Sequence, residues 1–231
     1  MSRNPDSDAR RSVVLFSGGL DSAVLLAVER RSHDEVWPIH VRAGLAWEDA
    51  EASAIADLLG RAPFAGRVHR ARTLGVDMRD IYPDGHWAVA GRPPAYDTPD
   101  EDVYLEGRNL VLIAKAAVLC ARLGVGRLAL GPLAGNPFPD ATPPFFESIA
   151  RAASLGLDHP LEVVAPLATM SKAQVIALGV ELGVPLARTL SCMNPRDGLH
   201  CGRCSKCRER IDAFREAGVE DGAAYAATWR S

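Results

Sequence analysis

Residues 12–22 read SVVLFSGGLDS, and no other stretch restricts the fold as tightly. Ser12 to Phe16 is a run of β-branched and apolar residues, the composition of a buried parallel strand. Ser17-Gly18-Gly19-Leu20-Asp21-Ser22 follows without a spacer, and from Ala23 to Arg31 the apolar residues Val24, Leu25 and Val28 recur at helical spacing. The unit is strand, glycine turn, helix. Two adjacent glycines admit backbone conformations closed to other residues, so successive N–H groups can turn inward as a concave nest. That nest abuts the positive end of a helix dipole, where an anion with several oxygens is stabilised.

The ligand this geometry implies is a phosphate chain. Ser17 and Ser22 add hydroxyl donors, and Asp21 supplies a carboxylate for the Mg²⁺ that accompanies a nucleotide. The loop is not a Walker A loop, because no Gly-Lys-Ser/Thr ends it, and it is not a dinucleotide fingerprint, because no third glycine follows. A bare Ser-Gly-Gly is usually an ordinary turn; the strand before it and the helix after it are what favour the phosphate reading.

With 231 residues the chain suits one large α/β domain with a small appendage. A net charge of −3 offers no basic face for long nucleic-acid contacts and favours a small-molecule substrate. No apolar run reaches the ~18 residues of a membrane span, and residues 1–11 (MSRNPDSDARR) lack the apolar segment of a signal peptide. The expectation is a cytoplasmic protein with a mobile polar arm at residues 1–11. Four of its five cysteines fall between positions 192 and 207, and in a reducing compartment such a cluster points to metal rather than disulfides.

Along the chain, Glu35–Val41 reads as a second strand in which Pro38 suits an edge or bulge. Trp47–Leu59 reads as a helix with Ala52, Ile55, Ala56 and Leu59 on one face and Gly60 as its stop, and Phe64–Arg70 as a third strand. Alternation of this kind predicts a doubly wound, mostly parallel sheet. Residues 73–104 are rich in proline and glycine, and a loop of that length is usually functional or partly disordered. It leads into Gly107-Arg108-Asn109 and the apolar helix 110–123, where Asn109 is an N-cap candidate and Arg108 can reach phosphate or a substrate carboxylate in bidentate fashion. Cys120, among apolar neighbours, reads as a small core residue.

Arg127–Gly131 is the expected fourth strand, and ligands of open parallel sheets bind beyond such carboxyl ends. The loop after it holds Asn136 and Asp140, able to meet the donors of a heterocycle, and Phe138, which offers a stacking face. A turn-rich connector explains Asn and Asp equally well. Helix 145–155, strand 161–164 and helix 170–182 follow, the last with Ser171 as its cap and Lys172 placed to reach across to phosphate, although an exposed lysine is the commoner case.

Cys192, Cys201, Cys204 and Cys207 form the pattern C-x8-C-x2-C-x2-C. Four thiolates suit tetrahedral Zn²⁺ in a closed, structural site, with an iron–sulfur cluster as the chemical alternative. Gly202 suits a knuckle-like turn, and Arg203, Lys206, Arg208 and Arg210 lie near enough in sequence to offset the net negative charge of such a site.

Ser17-Gly18-Gly19-Leu20-Asp21-Ser22 resembles the pyrophosphate loop of the PP-loop (N-type) ATP pyrophosphatases, whose fold is the adenine nucleotide alpha hydrolase-like α/β sheet. Together with Gly107-Arg108-Asn109, Ser191-Cys192 and Cys201-Gly202-Arg203-Cys204-Ser205-Lys206-Cys207, it is similar to the QueC family of 7-cyano-7-deazaguanine synthases. Arg210, Ala213 and Phe214 match the helix that usually follows. The resemblance implies a PP-loop domain at 12–186, a four-cysteine zinc lobe with a C-terminal helix at 187–231, and ATP, Mg²⁺ and Zn²⁺ as cofactors. It further implies ATP on Phe16 through Ser22 and Gly131, catalysis by Asp21, Arg108 and Lys172, and a deazapurine acid on Arg108, Asn109, Asn136, Phe138 and Asp140.

The implied reaction converts 7-carboxy-7-deazaguanine, ammonia and ATP to the nitrile by way of an acyl adenylate and an amide. A different acceptor amine, a tRNA-modifying activity or a non-catalytic nucleotide sensor are the alternatives. A homodimer is the expected assembly. The family's Tyr-Gly-Gln-x-His after the second strand is replaced here by residues 40–47, HVRAGLAW, and its Tyr-Pro-Asp-Cys by Phe138-Pro139-Asp140-Ala141.

Overall fold

The computed structural model describes residues 10–226. Most of the arm expected at 1–11 therefore lies outside the described residues; Arg11 already opens the first strand. Five strands, β1 (Arg11–Leu15), β2 (Glu35–Arg42), β3 (Arg72–Gly75), β4 (Arg127–Ala129) and β5 (Glu162–Val164), pair in the order β3-β2-β1-β4-β5, every pairing parallel. The order turns back at β1 and β4, which sets a crevice at their carboxyl ends.

Helices cover both faces. Along β1 the pleat sends Val14 to the side of α1 (Leu20–Ser32), α2 (Glu48–Leu59), α6 (Lys172–Glu181) and α7 (Ser205–Ala217), and Val13 to the side of α4 (Arg108–Leu123) and α5 (Pro143–Leu157). Both valines are fully buried, each burial being worth about 1.5–3 kcal/mol. Cys120 lies in the second of these cores.

Three expectations change. Pro38 sits in an internal strand rather than at an edge, opposite Val14. Its neighbour at i−2, Val36, turns its carbonyl to His69 N–H on the β3 side, so the N–H that Pro38 lacks faces a stretch where pairing with β3 begins only at Ile39. Residues 64–70 form turns instead of a strand: Phe64 is buried in the α1-side core, Gly66 has φ +65°, and the ladder starts at Arg72. In α2 the buried face runs through Glu48, Glu51, Ile55 and Leu58, so two glutamates occupy positions that the apolar pattern did not mark.

Residues 76–105 are ordered by a third core in which Leu45, Trp47, Met78, Tyr82, Val103 and Leu105 pack with all four clustered cysteines. A short helix α3 (Trp87–Ala90) docks on the β2–α2 connection through Ala46 N–H to the Ala88 carbonyl at 2.9 Å.

Candidate active site

The loop after β1 is held from outside its own span. Gly18 has φ +73°, and a Cβ there would lie 3.2 Å from Ala54 Cβ, Ile55 Cγ1 and Ile55 N, so α2 presses directly on the turn. Leu190 N–H donates to the Gly18 carbonyl at 2.9 Å, and Ser22 Oγ to the Gly19 carbonyl at 3.0 Å. In the first turn of α1 the amides of Leu20, Asp21 and Ser22 find no acceptor among the described residues; the ladder begins with Ala23 N–H on the Gly19 carbonyl. Three donors and a helix dipole thus converge on one spot.

Asp21 and Lys172 meet there. Lys172 Nζ stands 2.6 Å from Asp21 Oδ2 and 3.1 Å from Glu209 Oε1, while Lys206 Nζ holds Glu209 Oε2 at 2.7 Å. Burial disfavours the Lys172 charge, but Asp21 and Glu209 outweigh it and its pKa is raised. Burial likewise works against Glu209, yet the two lysines pull it down to about 2. One chain of charges therefore joins α1, α6 and α7. The other Asp21 oxygen, Oδ1, is buried without a hydrogen-bond partner. A buried orphan carboxylate oxygen beside an anion cradle fits the donor set that a hard divalent cation takes alongside phosphate oxygens.

Two clefts open on this loop. The first, of 290 Å³, reaches between the carboxyl ends of β1, β2 and β4 and is lined by Phe16, Ile39, His40, Leu112, Leu130 and Asn109 among others. The second, of 300 Å³, runs toward the cysteine lobe past Trp47, Trp87, Lys172, Met193 and Glu209. Ser17, Gly19, Asp21, Glu51, Arg108 and Gly131 line both, so the loop sits where the clefts join. Arg108 Nε is buried without a hydrogen-bond partner at that junction.

The remaining residues singled out in the sequence fall as follows. Leu20, whose side chain is buried in the core, lines the second cleft alone. Asn109 is not the cap of α4; Gly107, at φ +71°, holds that position. Asn109 instead pairs with Asp140, whose Oδ2 accepts its backbone N–H at 2.9 Å and whose Oδ1 accepts from Nδ2 at 3.2 Å. Asp140 thereby supplies the acceptor that the open end of α4 lacks. Asn136 closes an Asx turn by accepting Phe138 N–H at 2.9 Å, and Phe138 stacks on Tyr104 with centroids 5.1 Å apart. Ser171 caps α6 in a capping box with Gln174.

Sequence reasoning passed over His40, Glu51, Trp47, Trp87 and Glu209, which line the clefts. The two tryptophans stack at 5.8 Å and 15°. The one available signal was polar: Glu48 and Glu51 sit three apart on a helix whose apolar residues alone had defined its face.

The four cysteine sulfurs lie within 4.8 Å of one another, with Cys204–Cys207 at 3.5 Å and Cys201–Cys207 at 3.9 Å. Four sulfurs bound to one ion at about 2.3 Å would stand about 3.8 Å apart, so the set fits a single tetrahedral ion. Backbone N–H groups of Asn194 and Cys201 point at Cys192 Sγ, both at 3.2 Å, and Gly202 turns at φ +70°. Two of the expected compensating cations are otherwise engaged. Arg210 is fully buried, paired with Asp221 and donating to Thr189 Oγ1 and the Leu186 carbonyl, and Lys206 is held by Glu209.

A doubly wound parallel sheet whose first strand feeds an SGGLDS loop at the meeting point of two clefts defines the class of PP-loop, ATP-using enzymes. Residues 11–218 match the family described as queuosine biosynthesis protein QueC. Relatives named 7-cyano-7-deazaguanine synthase are similar over nearly their whole length. That of Anaeromyxobacter dehalogenans (strain 2CP-C) is 39% identical, covering 95% of this chain and 97% of its own. Those of Anaeromyxobacter sp. (strain Fw109-5) and Methanothrix thermoacetophila are 35% and 34% identical, covering 94% and 93% of this chain and 96% and 98% of theirs. The chain belongs to the QueC family.

Proposed function

We propose that this chain makes 7-cyano-7-deazaguanine from 7-carboxy-7-deazaguanine, ammonia and ATP. The observation that carries the reading is the junction of two clefts at the phosphate loop, in a chain similar over nearly its full length to synthases of that name. A carboxylate is a poor electrophile and must be activated before an amine can attack it. With the nucleoside in the first cleft and the acid in the second, the α-phosphate and the carboxylate meet beside Asp21 and Arg108.

In this reading the loop amides and Lys172 stabilise charge developing on departing pyrophosphate, and Arg108 orients the carboxylate. Ammonia then gives the amide, and a second activation at the amide oxygen allows loss to the nitrile. Asp21 would hold Mg²⁺, which when bound polarises the phosphoryl oxygens. Cys192, Cys201, Cys204 and Cys207 would hold structural Zn²⁺. Asn109 and Asp140, expected on the acid, line only the first cleft and in this arrangement shape the nucleoside end, while Phe138 and Asn136, which line both clefts, border the acid. We place the enzyme in the cytosol as a homodimer.

The test is direct. Purified protein with Mg-ATP, ammonium and 7-carboxy-7-deazaguanine should yield the nitrile by mass spectrometry. An amide that goes no further, or no ATP turnover with the acid, overturns the assignment.

A further inference from the structure

Every amination at this junction must dispose of protons. When ammonia attacks the acyl adenylate, a C–N bond forms, the C–O bond to AMP breaks with its electron pair leaving on AMP, and the new nitrogen gives up one proton. Adenylation of the amide at its oxygen, with pyrophosphate leaving, takes one of the two protons of the amide nitrogen. Conversion of that adenylate to the nitrile breaks another C–O bond to AMP, the electron pair leaving on AMP, as nitrogen loses its last proton to become C≡N. A group that accepts a proton is needed where the two clefts join.

Two carboxylates line both clefts, Asp21 and Glu51. Asp21 Oδ2 is held by Lys172 at 2.6 Å, and its unpartnered Oδ1 is the oxygen that would hold Mg²⁺. Glu51 is different. Its Oε2 lies 3.0 Å from His40 Nε2, and its Oε1 makes no hydrogen bond among the described residues. The contrast with Glu48, one turn away on α2, is informative: Glu48 is consumed by the N–H groups of Ala43 and Gly44, with Arg42 alongside at 3.5 Å, and so serves the β2–α2 connection. Glu51 has no such structural employment.

His40 is 3% exposed and its Nδ1 is buried without a partner. With Nε2 bound to a carboxylate, Nε2 carries the ring proton, and the imidazole holds Glu51 Oε2 while leaving Oε1 for another partner. A buried polar atom left unsatisfied costs stability, so the histidine is not explained by packing alone.

We propose that Glu51 is the general base of the amination and nitrile-forming steps, with His40 as the residue that positions it. The inference rests on the reading of the chain as a nitrile-forming synthase and names within it the group that takes the protons. Glu51 receives a proton from nitrogen in each step and returns it to solvent through the open side of the clefts.

Step-resolved assays of Glu51→Gln test it. Acyl adenylate is read as pyrophosphate release and by trapping with hydroxylamine, which attacks without help from a base; amide and nitrile are read by mass spectrometry with ammonium. Adenylate and hydroxamate should persist while amide and nitrile from ammonium fall at least about 100-fold. Glu51→Asp, which keeps the charge but not its reach, should show the same split, and serves if Glu51→Gln does not fold. His40→Asn should show a smaller loss in the same direction. Nitrile formation by Glu51→Gln near the wild-type rate, or parallel loss of hydroxamate and nitrile in both Glu51 variants, overturns the proposal. A wild-type protein that makes hydroxamate but no nitrile from ammonium overturns the proposed function first, and this assignment with it.

Discussion

The phosphate loop and the cysteine cluster lie on either side of the second cleft, and they are built on opposite principles. The loop is positioned by its surroundings and leaves its own groups unmatched: Asp21 Oδ1 and the amides of Leu20, Asp21 and Ser22 have no partner among the described residues. In the cluster, sulfurs sit together in a closed, buried set with backbone donors turned toward them. Unmatched groups on a rigid frame are the mark of a site that waits for a ligand and then releases it. A closed set belongs to a site that binds once and stays. The first region is therefore expected to govern turnover and the second to govern folding.

The largest effect should come from the cluster. Structural zinc in small sites contributes roughly 10–16 kcal/mol of apparent folding free energy, as much as a whole domain's stability of about 5–15 kcal/mol. Chelation, or Cys204→Ser with Cys207→Ser, should abolish a cooperative thermal transition and release about one metal per chain in a colorimetric assay. Identical melting with and without chelator breaks the comparison on that side.

On the loop side, Asp21→Ala should cost activity at least about 1,000-fold, near 4 kcal/mol of transition-state stabilisation, with the melting temperature little changed. Glu209 remains to hold Lys172 at 3.1 Å, so removing Asp21 strands no buried cation. A stability loss as large as the activity loss means that Asp21 is part of the frame after all.

The frame itself has a polar footing beneath the loop. Glu29 of α1, 1% exposed, accepts two hydrogen bonds from Arg127 of β4, both at 2.9 Å, and one from Ser12 of β1 at 2.6 Å. Burial pushes its pKa up, but Arg127 and Ser12 outweigh that and hold it below 4.5. A depressed carboxylate stabilises the fold above its unfolded pKa, and the contribution is lost as pH falls through the folded value. Glu29→Gln should therefore cost about 3 kcal/mol at pH 7 in urea unfolding, with the gap to wild type closing as pH drops below 4.5. A gap that stays constant with pH points to packing instead of charge.

Legibility followed the same divide. Both the loop and the cysteines are short, nearly contiguous runs in which backbone geometry or ligand chemistry dictates residue type, so Ser17 to Ser22 and the four cysteines stand out in the chain. The walls of the clefts are assembled from distant segments by the sheet. His40 reaches Glu51 across the β2–α2 connection, and Trp87 reaches Trp47 over forty positions, pairings that no local period announces. The turns at 64–70 were hidden for a related reason: Phe64 and Val68 carry a strand's composition, but they fill the α1-side core, while β3 takes its order from the β2 ladder despite exposed Arg72 and Thr73. Asn109 was legible as a residue of the α4 terminus and not as the partner of Asp140, because that partner lies 31 positions on.

The tryptophan pair supplies the smallest and sharpest test, since both rings line the second cleft and neither is part of the loop or a cysteine ligand. Trp47 is 6% exposed and sits in the core shared with the cysteines, whereas Trp87, on α3, is only half-buried and borders the second cleft. A planar heterocycle in that cleft gains stacking worth about 0.5–1.5 kcal/mol from an indole face. Trp87→Ala should therefore raise KM for the acid up to about tenfold, leaving kcat and the KM for ATP nearly unchanged, because the interaction is made equally in ground and transition states. Trp47→Ala removes core volume as well and should lower stability by about 3–5 kcal/mol. If Trp87→Ala instead raises KM for ATP, the nucleoside occupies the cleft beside the cysteines, and the two clefts exchange roles while the loop between them keeps its own.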